Sequence, residues 1–242
     1  HVWNGDWRAE KEDDVLILEA QTEGIHLNLS LDTFNTMMLH GDNGYSVKDW
    51  DGSQASYYYS MPRLEGAGTL IKESKTEQIS LASVWFDHEF FNQSELVNGS
   101  LLAQDSSEKT SYDGWDWFAL QFENGDQLMF AQVRTQSDQK NHYYFGTFQD
   151  ASGHTVALDR DLVTLNVLDT WQSKATKRQY PSLWSLTIPS LEIDVIVTPT
   201  VHDQELKLHH LTGVDYWEGR CRFEGTHQGN AYVELVGYEP IP

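Results

Sequence analysis

Between Gly114 and Arg134 apolar and polar positions alternate on both sides of Asn124-Gly125, the period of two that marks β-strands. Asn-Gly between two such runs predicts a hairpin with a two-residue type I′ turn, because both central residues of that turn need positive φ. That loop length pairs Glu123 with Asp126, so Leu120 faces Met129, Trp117 faces Gln132 and Trp115 faces Arg134. One face is then Asp116, Phe118, Leu120, Phe122, Met129, Ala131 and Val133, which is almost wholly apolar. The other carries Trp115, Trp117, Gln121, Phe130, Gln132 and Arg134. Aromatic walls with a few polar groups suit a small-molecule cavity; they equally suit an exposed sheet face with amphipathic side chains lying flat on it.

The run before it, Ser83 to Phe90, alternates as well. Trp85, Asp87 and Glu89 point one way, and Val84, Phe86, His88 and Phe90 the other, so Asp87 and His88 share a face only if the strand bulges between them. Val15 to Leu31 reads as two short strands joined by a turn. The stretch from Tyr57 to Ile71 reads as one long Tyr-rich strand bent near Pro62 and Gly66. Turn residues from His40 to Ala55 predict a long loop or crossover, and Asn92 to Asp113 a long loop over a barrel mouth. Seven more strand candidates follow Arg134, and Leu191, Ile193, Val195 and Val197 share a core face. Many short strands without a sustained helical period predict an all-β protein, an antiparallel sandwich or barrel.

Composition narrows the function classes. The chain has 242 residues with 37 acidic against 16 basic, a formal charge of −21. Such a surface repels phosphate backbones and anionic headgroups, which argues against nucleic acid or anionic lipid as partner. No run is long enough for a membrane span, and no signal peptide is visible. Cys221 is the only cysteine, so an intrachain disulfide and a Cys-rich zinc site are excluded; it shares a strand face with Trp217 and Phe223 and reads as a packed thiol. His202, Asp203, His209, His210 and His227 match no strong metal-ligand spacing. Nucleotide loops, zinc helices, calcium loops and nucleophile elbows are absent from the sequence.

Carboxylates beside indoles carry the remaining chemistry. Burial of Asp87 against Trp85 would disfavour its ionised form and make it a proton donor near neutral pH. In a cavity of Tyr and Trp faces such an acid can protonate an alkene and shelter the cation. The plainer reading is that Asp87 caps a turn and Trp85 fills a barrel end. Arg134 and Glu89 are also candidates for an ion pair closing the barrel.

Several blocks are longer and more particular than strand patterning requires: GDNGYS (Gly41 to Ser46), ASYYYSMPRLEGAGTL (Ala55 to Leu70), WFDHEF (Trp85 to Phe90), GWDWFALQFENGDQLMFAQVR (Gly114 to Arg134) and YWEGRCRFEG followed by YVELVGY. In this order they resemble the AttH-like family, also described as carotenoid hydratase-like or hydroxyneurosporene synthase-like. The resemblance implies lipocalin-like β-barrel domains with a ligand cavity. Residues 1–50 are then the last strands and crossover of a first lipocalin-like domain, and 51–242 a lipocalin-like barrel. It implies an apolar or polyene small molecule as ligand and acid-catalysed hydration or cyclisation as the reaction, with no cofactor and no metal. Trp85-x-Asp87 fits the aromatic-x-Asp pair of the hydratase branch, while the positions near Tyr58 and Ser60 hold neither the His nor the Trp expected to act with it.

The catalytic candidates are Asp87 as acid, His88 as its orienting group, Trp85, and Tyr58 as a hydrogen-bond donor. The ligand-binding candidates are Tyr57, Trp115, Trp117, Phe130, Gln132 and Arg134. An N-terminal fragment or a second chain is the expected partner completing the first sheet. The alternatives are a non-catalytic ligand-binding protein of the periplasm or cell envelope that serves transport, and a carbohydrate-binding β-sandwich.

Overall fold

Alternating patterns joined by short turns can satisfy their backbone groups only by pairing with one another, and the chain does so in antiparallel ladders. The computed structural model describes residues 1–34, 37–50, 52, 54–90, 112–135, 142–208 and 215–240. The expected loop from Asn92 to Asp113 falls almost wholly outside them, as do His209 and His210.

Among the described residues the first sheet has eight strands: β1 (Val2–Asn4), β2 (Trp7–Glu12), β3 (Val15–Thr22), β4 (Ile25–Asp32), β5 (Met38–Leu39), β6 (Tyr45–Val47), β7 (Ala55–Lys72) and β8 (Lys75–Phe90). Its order is β1-β2-β3-β4-β7-β5, with β6 and β8 also on β7. The second has ten among the same described residues: β9 (Tyr112–Phe122), β10 (Gln127–Thr135), β11 (Tyr143–Gln149), β12 (Thr155–Leu158), β13 (Thr164–Gln172), β14 (Gln179–Ile188), β15 (Ile193–Pro199), β16 (Glu205–Leu206), β17 (Tyr216–Gly225) and β18 (Gly229–Val236). Its order is β12-β11-β10-β9-β18-β17-β15-β14-β13, with β16 on β17. All seven strand candidates after Arg134 are present, and the all-β antiparallel class holds.

The chain forms two compact units, residues 1–38 with 59–88 and residues 39–58 with 89–242. The β4–β7 ladder pairs Ile25 through Asp32 with Lys72 through Glu65, so β7 continues the N-terminal sheet. In the first unit Leu16, Leu18, Leu27, Leu29 and Leu31 share a face by register, but only Leu29 and Leu31 are fully buried. In the second, Phe118, Leu120, Phe122, Leu128, Phe130, Trp184, Val195, Val197, Trp217, Cys221 and Phe223 form one filled core.

Two turns depart from expectation. At Asn124-Gly125 only Gly125 has positive φ, at 97°, and the loop has three residues: the Gly125 amide donates to Phe122 O at 3.1 Å and the Phe122 amide to Asp126 O at 3.0 Å. This is a turn followed by a glycine bulge, not type I′. Asn124 holds it, its Oδ1 accepting the Asp126 amide at 3.1 Å and its Nδ2 donating to Asp126 Oδ2 at 2.7 Å. The two-residue loop with both φ values positive lies instead at Glu73-Ser74, at 48° and 67°, between β7 and β8. Strand β7 also runs without interruption through Pro62 and Gly66. Gly66 serves close approach rather than a break: a Cβ there would stand 2.0 Å from Ser30 O of β4.

The longer loop shifts the β9–β10 register by one residue, so Leu120 pairs with Leu128, Phe118 with Phe130, Trp117 with Ala131 and Trp115 with Val133. A shift of one exchanges the faces of one strand relative to the other. Phe130, Gln132 and Arg134 therefore lie on the Phe118–Leu120 face, while Trp115 and Trp117 share theirs with Met129, Ala131 and Val133.

Candidate functional site

The first unit places a carboxylate under two donors. On β8 the side chains of Trp85 and Asp87 are two residues apart and share a face, and the Trp85 indole N–H donates to Asp87 Oδ1 at 2.7 Å. The Ser60 hydroxyl, from fully buried Ser60 on β7, donates to the same oxygen. Two donors on one oxygen fix the direction of the carboxyl group, and hydrogen bonds of this kind to an ionised acceptor are stronger than neutral ones. Asp87 itself is exposed, so the indole meets it as a hydrogen-bond donor and not as an apolar wall that withdraws it from water.

His88 belongs to the other face. Its Nδ1 lies 3.0 Å from the Tyr59 hydroxyl, and its ring stands edge-on to Tyr59 at 5.3 Å. His88 therefore meets Tyr59 on one face of β8, while Ser60 and Trp85 reach the Asp87 carboxylate on the other. The sequence offers one signal for Ser60: it alternates with Tyr58 on the buried edge of the Tyr-rich strand.

The second unit gathers a different set. Tyr58, 4% exposed, accepts the Trp117 indole N–H on its hydroxyl at 3.0 Å. The His40 ring lies 4.1 Å from the Tyr58 ring, and His40 Nδ1 is 2.9 Å from Thr147 Oγ1 on β11. Lys48 Nζ sits 4.6 Å from the Tyr58 ring centre and 4.0 Å from that of Phe145, and pairs with Glu89 at 2.7 Å. Glu89 also accepts the Ser56 hydroxyl at 2.5 Å. Burial first, and the Lys48 charge second, push the fully buried His40 imidazole down to about 3, so the ring is neutral at physiological pH. Sequence patterning singles out neither His40 nor Lys48, because both lie within the stretch that reads as a loop.

The remaining candidates separate. Trp115 donates to Glu234 Oε1 at 2.9 Å. Tyr57 is exposed, stacked on Phe90 at 5.5 Å and edge-on to Tyr45 at 5.8 Å. Phe130 is a fully buried core residue and does not face Trp115 or Trp117. Gln132 pairs in register with Asp116 on the core side. Arg134 forms an ion pair with Asp116 at 3.2 Å and lies over the Tyr238 ring at 3.9 Å, while Tyr238 donates its hydroxyl proton to Asp116 at 2.9 Å. Arg134 and Glu89 thus have separate partners. Burial raises the Asp116 carboxyl above the usual carboxylate range, and Arg134 and Tyr238 draw it part of the way back.

Among the described residues no group of three or more His, Cys, Asp or Glu is placed to hold a metal ion. Among them, too, no helix is long and apolar enough to cross a membrane.

Comparison with known proteins follows these features. The sequence matches the AttH-like family over residues 1–238. A crystal structure of an AttH protein from Nitrosomonas europaea is 30% identical, with 96% of this chain and 68% of that one covered and a TM-score of 0.81. Kievitone hydratase from Nectria haematococca is 19% identical over 99% of this chain and 71% of its own, with a TM-score of 0.74, a likeness of fold. No curated protein matches the sequence.

Proposed function

This chain belongs to the AttH-like family and has its lipocalin-like β-fold, and on that footing we propose that it binds an apolar or polyene-like small molecule and adds water to it, or cyclises it, by proton transfer through Asp87. The observation that carries the reading is the Asp87 carboxylate, accessible from outside and held in direction by Trp85 and Ser60. In hydration, protonated Asp87 gives its proton to one carbon of an alkene; water bonds to the other carbon and returns a proton to the carboxylate, so the group is regenerated without a cofactor. Trp85, whose indole borders the acid, shelters the developing cation. The half-buried leucines of β3 and β4 give the same unit an apolar surface suited to such a ligand. The kievitone enzyme, by its name a hydratase, gives precedent for this reaction class on a related fold.

A second reading is carriage of the same ligand class without chemistry, and the exposure of Asp87 to solvent favours it. Parinaric acid, a fluorescent polyene, separates the two. Binding raises its emission in both readings; turnover shows as loss of conjugated absorbance with the mass gain of one water, or as isomerisation without mass change. Under the enzymatic reading Asp87→Asn binds the polyene as the wild type does and loses turnover by about 100-fold or more, the scale of a general acid's contribution. Binding with no turnover in the wild type supports carriage, and absence of binding overturns both.

A further inference from the structure

Strand β17 carries Glu218, Arg220, Arg222 and Glu224 on its outward face, because the alternate positions Trp217, Cys221 and Phe223 fill the second unit's core. Arg220 and Arg222 are exposed. Elsewhere in this acidic chain Arg8, Arg134 and Arg178 each pair with a carboxylate, at 2.6, 3.2 and 2.7 Å. Arg220 and Arg222 form no ion pair among the described residues, although Glu218 and Glu224 stand two positions away on the same strand face.

The sheet turns both arginines toward one place. Register sets Arg222 between Thr198 of β15 and Asn230 of β18, and Arg220 beside Tyr232. Arg220 Nη2 nevertheless donates to Asn230 Oδ1 at 3.2 Å, so its guanidinium leans out of its own row into that of Arg222. Its backbone is held from both sides: the Arg220 amide donates to Gln204 Oε1 at 2.9 Å, and its carbonyl accepts from the Thr200 amide and hydroxyl, each at 3.0 Å. Among the described residues the Asn230 Nδ2 group and the Thr198 hydroxyl have no hydrogen-bond partner. Like charges gathered on one sheet face cost free energy, and an oxyanion between two guanidinium forks offsets that cost.

We infer that the groove lined by these residues, about 610 Å³ in volume, binds a small hydroxylated anion of the sugar-acid or sugar-phosphate class, its oxyanion held by Arg220, Arg222, Thr198 and Asn230. The site belongs wholly to the second unit and is independent of the proposed chemistry at Asp87. Its volume lies within the range of small-molecule sites. The same groove carries Glu224 and Glu123, the latter accepting Gln228 Nε2 at 2.6 Å. Carboxylates accept hydrogen bonds from hydroxyl groups and repel a second anion, so the ligand carries its charge at the arginines and hydroxyls elsewhere.

The formal charge of −21 is compatible with such a ligand. Physiological salt screens exposed charges beyond about 8 Å, so a single anion in the groove responds mainly to the two guanidinium groups beside it. A polyanion extends past the groove and meets the acidic surface, which keeps nucleic acid excluded.

Calorimetric titration of the full chain with glucuronate, glucose-6-phosphate, glucose and inorganic phosphate tests this. At least one of the two sugar anions should bind saturably, glucose should not, and the tighter of the two tells carboxylate from phosphate. Arg222→Met, at an exposed position that leaves the core intact, should weaken binding by about tenfold or more, the scale of one charge-assisted hydrogen bond. Arg8→Met removes the same charge from the first unit and should leave binding unchanged, which separates the groove from net charge. Binding of neither sugar anion, glucose binding as well as they do, or an Arg222→Met affinity equal to wild type overturns the inference. So does equal weakening by Arg8→Met, or inorganic phosphate binding as tightly as the sugar anions.

Discussion

Arg134 lies 3.2 Å from Asp116 across two neighbouring strands and at the same time covers the ring of Tyr238, whose hydroxyl bonds to that same aspartate. A guanidinium also bonded to the backbone carbonyl of Val236 and buried on this scale closes one end of the second unit's core. It is a structural clasp, and the energetic consequence is asymmetric. Removing both charges together costs little, whereas removing one leaves the other in a low-dielectric interior.

Arg134→Met should therefore destabilise the fold by about 3–5 kcal/mol, and the double variant with Asp116→Asn should recover most of that loss. Urea midpoints for the two single variants and the double give the coupling directly. Equal, additive losses would show the pair to be no clasp at all.

The two hairpin turns make a paired prediction with opposite signs. Gly125→Ala places a Cβ at φ 97° and 3.0 Å from the Ala151 Cβ, and should cost about 1–3 kcal/mol. Replacing Glu73-Ser74 with Asn-Gly puts the preferred residues where both φ values are already positive, and should stabilise by about 1 kcal/mol. Thermal melts of the two variants, read against wild type, check both signs at once.

Cys221 is enclosed with Trp217 and Phe223 in the second unit's core, and burial pushes its thiol up to about 12. The reactive thiolate is therefore scarce at neutral pH, and no reagent reaches it without opening of the core. Labelling by a water-soluble disulfide reagent should be negligible in the native protein and should track the unfolding curve in urea. Rapid native labelling would show that the core opens locally at β17.

How much of this was legible beforehand depends on how far apart the interacting residues stand. Cys221 beside Trp217 and Phe223, the core row Ile193, Val195 and Val197, and the separation of Asp87 from His88 all follow from alternation within one strand, which a period of two settles locally. The resemblance to the AttH-like family came from contiguous blocks and held over residues 1–238. Phe130, Gln132 and Arg134 were misassigned because their face depends on the number of residues in a turn, and Asn-Gly serves a two-residue and a three-residue loop alike.

The sequence by itself determined that this is an antiparallel all-β chain, where most of its strands lie, and which residues within a strand point together, because those properties arise from neighbours one and two positions away. Only the tertiary structure decided the register of β9 on β10, the meeting of Ser60 with Asp87, and the burial of His40 against Thr147, 107 residues distant. Each of these is fixed by how separate strands come into contact, and a change of one residue in a connecting loop is enough to exchange the faces that meet.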